Sequence, residues 1–459
     1  MTSRLLGRCA VTLALCLTAF GAGPIASAPT VYPTGTTIYE PARTWNGFTV
    51  LSPLGIRAVI VIDMNGRVVK RWEGFDLVSG GPARVLPGGI VVAPEGDAMP
   101  QHLEASALVA QDFEGRELWR FDRAEPNERG DRPASGARQH HDWQLSTFPG
   151  GAYSPQSAPG LAGATWLVLT HSAHDDPAIA QVTLDDDRLI ELDPQGRATW
   201  QWRAGDHIDD FQFTPAARAA IRRNGKRGGF DWLHLNSAAY VGPNRWFDAG
   251  DPRFDPRNVI VSSRSASLIA IVARSGKLVW RLGPDSSASP ATKAIGQIIG
   301  QHDVTMIPQG LPGAGDLLLF DNGGASGYGD PSPISPDGDS IYQRAGSRVL
   351  EIDPVSMKLI WSYSAPTFYS FNISSAQRLP NGNTLIAEGT TGRVFEVTAD
   401  KRIVWEYVAP PGEGPRASNA VYRAYRIPYS WLPQVPAPRE TPVARPDPAR
   451  FHVPGASRR

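Results

Sequence analysis

Leu189 to Trp200 reads LIELDPQGRATW: an alternating apolar run, a turn opened by Asp193 and closed by Gly196, and a second short run ending in Trp. Two such runs around a tight Gly-containing turn spell a β-hairpin. The phrase returns at Val59 to Trp72 (VIVIDMNGRVVKRW), Leu108 to Trp119 (LVAQDFEGRELW) and Leu268 to Trp280 (LIAIVARSGKLVW). Two further copies are Val349 to Trp361 (VLEIDPVSMKLIW) and Val394 to Trp405 (VFEVTADKRIVW). The copy starting at Val59 is atypical, with Lys70 where the others carry Trp and the Trp delayed to Trp72, as terminal repeats often are.

Between these copies lie more strand signals, such as ARVLPGGIVV at 83–92 and AQRLPNGNTLI at 376–386. Two hairpins per unit make a four-stranded blade, so the reading is all-β: a six-bladed β-propeller, with a candidate active site in its central channel. An aromatic recurring at one place in every repeat reads as blade-to-blade packing rather than a ligand platform. One segment looks helical, Pro215 to Arg223 (PAARAAIRR). The propeller is assigned to residues 29–427, and the Pro- and Arg-rich stretch 428–459 to a wrapping or disordered tail.

Lys+Arg and Asp+Glu are balanced at 45 each, which leaves no basic field for nucleic acid and makes a small molecule the expected partner. Both cysteines, Cys9 and Cys16, fall in residues 1–28, where Arg4 and Arg8 precede an apolar run and then small residues. That is the layout of a secretory signal peptide, so a periplasmic or secreted protein with no membrane span in its mature chain is expected.

Three phrases carry the chemistry: His140-His141-Asp142, His234-Leu235-Asn236, and Gln301-His302-Asp303. In an extended chain His234 and Asn236, two apart, share one face. The strand NVIVSS at 258–263 delivers Arg264, whose planar fork of donors suits an oxyanion. Singly, each histidine could be a satisfied structural residue and Arg264 a salt-bridge partner; the signal lies in their combination. His140, adjacent to His141, is expected to support it from the opposite side of the strand. His171 and His174 have metal-like spacing but are expected in an Asp-rich loop, and remain unassigned.

The phrases DWLHLNSAAY (231–240), VIVSSRSAS (259–267), LVWRLG (278–283), QHDV (301–304), LLLFDNG (317–323) and SSAQRLPNGNTLIAEG (374–389) resemble the bacterial arylsulfotransferases, from about Tyr39 to Tyr407. The resemblance implies a six-bladed propeller that moves a sulfuryl group from an aryl sulfate donor to a phenolic acceptor, with neither metal nor nucleotide cofactor. It makes His302 the nucleophile that becomes sulfohistidine, His234 and Asn236 holders of the sulfuryl oxygens, and Arg264 the oxyanion clamp. His141 matches a histidine that can protonate the departing phenol, with His140 beside it at the substrate. Enteric members carry an N-terminal β-sandwich and a disulfide, for which this chain is expected to offer little room before its first blade and no mature cysteine.

Two rivals stand. His141, His234 and His302 could together bind a divalent metal, as in hydrolytic or lyase propellers, although Arg264 opposes a cation there. The chain could instead be an exported, non-catalytic binding propeller. A quinone-dependent dehydrogenase fits less well, lacking a mature cysteine pair and enough repeats.

Overall fold

The computed structural model describes residues 33–447 apart from 55, 78–80, 97–102, 124–136 and 413–417, so the leader-like segment and the end of the tail lie outside the described residues. The described strands form six antiparallel blades in a ring. Four are local: 84–121, 139–203, 235–282 and 302–363, each with its strands in sequence order from the axis outward apart from a small strand pair inserted in the last. The other two close the ring. Val421–Ile427 supplies the innermost strand of the blade made by residues 48–73, and Gly35–Tyr39 adds a fifth, outer strand to the blade at 375–408. Closure by strands distant in sequence removes the free sheet edges an open array would expose.

Each copy of the repeated phrase forms the third and fourth strands of its blade counted from the axis, as in Leu184–Leu192 with Ala198–Arg203. The tryptophans lock neighbouring blades by their indole N–H groups. Trp72 donates to Asp112 O, Trp202 to Gly276 O, Trp280 to Pro354 O, Trp361 to Ala399 O and Trp405 to Met64 O, at 2.7–3.0 Å. Each acceptor lies in or beside the turn of the next blade's outer hairpin, so one residue type serves both core and latch. Trp119 stacks on Trp166 at 3.7 Å instead. Lys70, the residue in place of Trp, lies over the Trp72 and Phe113 rings.

The helical segment is α1, Pro215–Asn224, opened by the Thr214 side chain accepting from Ala217 N and closed by Arg222 and Arg223 at the negative end of its dipole. Past Val421–Ile427 the chain turns back over the first strand: Val443 bridges Tyr39, and Glu440 accepts from Tyr39, Tyr429 and Met64 N.

At the axis all six innermost strands meet in one buried network. Arg423 pairs with Asp142 (3.0 Å) and Asp303 (2.9 Å) and donates to Asn236 O. Arg84 pairs with Asp142, Tyr425 donates to Asp303, and Ala376 N caps the other Asp303 oxygen. Two arginines against two carboxylates balance in charge, which is what makes their burial tolerable. The aspartates of the His140-His141-Asp142 and Gln301-His302-Asp303 phrases are thus clasps that hold the adjacent histidines in place.

Candidate active site

Just beyond this network the backbone is bent where the candidate side chains sit. His141, His234, Asp303 and Ile373 adopt left-handed φ of 51–54°, and Ser374 a φ of 92°. Strand pairing also slips between Leu235 and Ser237 and between His302 and Thr305. Such bulges re-aim side chains and are concentrated at functional sites. They also break the simple alternation that would put His234 and Asn236 on one face of an extended strand. The two residues still belong to one neighbourhood: Asn236 is fully buried and donates to Gln301 O, next to His302.

His302 is 2% exposed. Its Nδ1 lies 2.8 Å from Asn322 Oδ1 and 3.0 Å from Gly300 O. Both partners accept, because the Asn322 amide nitrogen is committed to Ser370 O and Ile373 O at 2.9 Å. The ring proton therefore sits on Nδ1 and the lone pair on Nε2, where it accepts from Ile373 N–H at 3.2 Å. Burial pushes the His302 imidazole well below its usual range, with Arg264, Arg423 and His234 adding to the effect against the opposing Asn322 bond. The result is a neutral imidazole with an oriented lone pair.

His141 faces His234 edge-on, ring centroids 4.6 Å apart. Burial and the neighbouring His234, His302 and His171 also hold His141 neutral. His234 is anchored by Asp231, which accepts from His234 N at 2.9 Å and from Nδ1 at 2.5 Å, leaving Nε2 as the available nitrogen. Burial alone would raise the Asp231 carboxyl, yet His234 and His171 hold it below its usual range.

Arg264 begins the turn after Val259–Ser263, its backbone N bonded to His234 O at 3.0 Å. Its guanidinium lies 5.5 Å from the Phe371 ring centre and, among the described residues, has no hydrogen-bond or ion-pair partner. Burial lowers its pKa, with Asp339 acting the other way. A partly desolvated cation without a partner is built to receive an anion.

The structure therefore brings His141, His234, Asn236, His302 and Arg264 together. His140 sits behind them, in contact with His141 (Nδ1 to Nδ1, 2.9 Å), His171 and Asp187. His171 and His174 lie not in a loop but on the strand Trp166–His174, paired with Asp187 and Leu184 of the next strand, and His174 faces Asp206 at 3.8 Å. Among the described residues, the group able to share one ion is His140, His171 and Asp187 rather than the three histidines around His302. Sequence reasoning missed Asn322 and Asp231, although both stand inside phrases it singled out, and the Ile373 N–H and Arg423, for which no local signal exists.

A six-bladed ring with this cluster can be compared with known proteins. A solved structure of a protein of unknown function from Bacteroides caccae is 12% identical, covering 83% of this chain and 99% of that one, with a TM-score of 0.43. Virginiamycin B lyase from Staphylococcus aureus is 9% identical, covering 81% and 83%, with a TM-score of 0.35. No curated protein matches the chain. The sequence model of the family described as Arylsulfotransferase (ASST) matches residues 161–409. That stretch is more than half of the chain and contains His234, Asn236, Arg264 and His302, and on it this propeller belongs to the arylsulfotransferase family.

Proposed function

We propose that the protein, a sulfotransferase acting on small molecules, takes a sulfuryl group from an aryl sulfate onto His302 Nε2 and passes it to a phenol, without a nucleotide donor. The observation that carries this reading is the fixed tautomer of His302: Nδ1–H held by Asn322 and Gly300, lone pair on Nε2, ring neutral. A neutral, oriented nitrogen is what attack on sulfur requires.

Sulfuryl transfer resembles phosphoryl transfer in needing in-line positioning and charge stabilisation. Arg264 and His234 Nε2 are assigned to the sulfuryl oxygens, with Asn236 beside them. As the N–S bond forms and the S–O(aryl) bond breaks, the Ile373 N–H loses the Nε2 lone pair and can turn to a sulfuryl oxygen. His141 gives the departing aryl oxygen a hydrogen bond and, for a poor leaving group, its Nε2 proton. The 2.9 Å Nδ1–Nδ1 contact lets the His140 Nδ1 proton move to His141, leaving His140 as an imidazolate whose charge the stacked His171 imidazolium balances until the acceptor's proton returns. The acceptor phenol then returns a proton along the same path as it takes the sulfuryl group, restoring neutral His302.

Residues 29–427 are proposed as the catalytic propeller and residues 1–28 as an export leader, which would place the enzyme in the periplasm or outside the cell. No helix among the described residues is long and apolar enough to cross a membrane.

The test is 4-nitrophenyl sulfate with a phenol acceptor, wild type against His302→Ala. Release of nitrophenol with sulfation of the acceptor, ping-pong kinetics, and one SO3 group on the His302 peptide after a donor-only quench support the reading. Activity surviving in His302→Ala refutes it.

A further inference from the structure

Behind the His140–His141 contact, three strands of one blade set a row of side chains on a common face. They are His140 on Gln139–Leu145, His171 on Trp166–His174 and Asp187 on Leu184–Leu192. His171 and Asp187 are directly paired across strands, and the Gln139–Thr170 pair brings His140 alongside. All three are at most 1% exposed.

Each of the three is anchored by one polar atom and leaves another unsatisfied. His171 Nδ1 meets Glu104 at 2.9 Å, His140 Nδ1 meets His141 at 2.9 Å, and Asp187 Oδ2 accepts from Leu235 N at 3.0 Å. The remaining atoms, His140 Nε2, His171 Nε2 and Asp187 Oδ1, are buried without any hydrogen-bond partner. They are the same three atoms that approach one another, Oδ1 lying 3.4 Å from His140 Nε2 and 3.9 Å from His171 Nε2. Burial lowers the His171 pKa, but the Glu104, Asp231 and Asp187 carboxylates raise it to about 9, so a proton on His171 balances these atoms when no metal is bound; a divalent ion can displace that proton and satisfy all three buried atoms at once.

Charge points the same way. Arg138 bridges Glu104 and Asp185, but among the described residues Asp187 and Asp231 have only histidines as ion-pair partners. Asp231 Oδ2 lies 4.0 Å from His171 Nε2, so a second carboxylate borders the same space.

We propose that His140 Nε2, His171 Nε2 and Asp187 Oδ1 form a binding site for one divalent first-row transition-metal ion, with Asp231 at its edge. Metal–ligand bonds of about 2.0–2.1 Å in a tetrahedral site place donor atoms about 3.3 Å apart, close to the shorter observed spacing. The two imidazoles stack at 3.7 Å and 20°, so binding requires His171 to rotate toward Asp187 and open the stack. Two imidazole nitrogens with one carboxylate favour zinc, iron or manganese over magnesium or calcium. Glu104 on His171 Nδ1 is the outer carboxylate that characteristically orients a metal-bound histidine. A metal on His140 Nε2 keeps the ring proton on Nδ1 and directs it to His141 Nδ1, so that His141 presents N–H at Nε2. Only this last consequence rests on the proposed role of His141; the metal site does not.

The test uses the whole protein stripped with chelator, reloaded with Zn2+, desalted and measured by elemental analysis. Wild type should retain one equivalent, melt at a temperature a few degrees higher with Zn2+ than after EDTA, and with Co2+ give a visible band typical of nitrogen and oxygen ligation. His171→Gln and Asp187→Asn should each weaken Zn2+ binding about tenfold or more and abolish the melting shift. Wild type that retains neither Zn2+, Mn2+ nor anaerobic Fe2+, with a melting point indifferent to EDTA, overturns the proposal and leaves the His171 imidazolium as the cation between Asp187 and Asp231. Variants that hold zinc as tightly as wild type overturn it equally. None of these readouts depends on sulfate transfer, so their failure and the failure of the sulfotransferase reading are distinguishable.

Discussion

Replacing Asn322 with alanine tests the role of the His302 tautomer most directly. The substitution removes the 2.8 Å acceptor from His302 Nδ1–H and leaves Gly300 O at 3.0 Å as its remaining partner. A buried donor losing its partner costs about 1–3 kcal/mol, and with Gly300 still accepting the lower part of that range applies, about 1–2 kcal/mol. If that loss falls on the transition state, the sulfation step slows roughly 5- to 30-fold. The Asn322 bond raises the His302 pKa while burial and the nearby cations depress it, so its removal moves the imidazole further from protonation. The defect must therefore lie in ring orientation, and the acid limb of the pH profile must not move to higher pH. The assay is kcat/KM for 4-nitrophenyl sulfate from pH 5 to 8, with the amplitude and rate of the nitrophenol burst. Activity within twofold of wild type, or an acid limb displaced upward, would refute the reasoning.

Arg264→Ala should lower kcat/KM for the anionic donor by about 1.5–3 kcal/mol, roughly 10- to 150-fold, with Arg264→Lys recovering only part, because a single ammonium cannot match a planar fork. Steady-state kinetics on both variants measures it. His302 is held well below its unfolded value of 6.5, so the unfolded chain takes up that proton first and the associated stability is present above pH 6.5 and lost as pH falls. Urea unfolding at pH 7.5 and pH 5.5 should show wild type losing up to about 1.4 kcal/mol more per pH unit than His302→Gln. Arg423→Met leaves Asp142 and Asp303 short of their shared cation, a loss of about 3–5 kcal/mol that calorimetry would register as a lowered Tm.

The ring was legible because a propeller repeats its instruction. Hairpin and Trp recur in all six copies, with Gly in four of the turns, and five tryptophans at or near the ends of these phrases bond to the next blade. The phrases carrying His141, His234, Arg264 and His302 were legible as a set, since residue types suited to oxyanion chemistry clustered at strand ends. The alternation rule failed at His234, where a left-handed residue and a register slip depart from the extended geometry it assumes.

What the sequence alone determined is local: six hairpins, their turns, the latching tryptophans, and a short list of histidines with one arginine. What the tertiary structure decided is every relation between atoms far apart in the chain. Asn322 sets the His302 tautomer from 20 residues away, and Arg423 of the ring-closing strand reaches back 281 residues to Asp142. His140, His171 and Asp187 become neighbours only because three strands lie side by side. Period and turn chemistry are short-range and can be read along the chain, whereas proton position and charge balance depend on what closure of the ring places opposite each side chain.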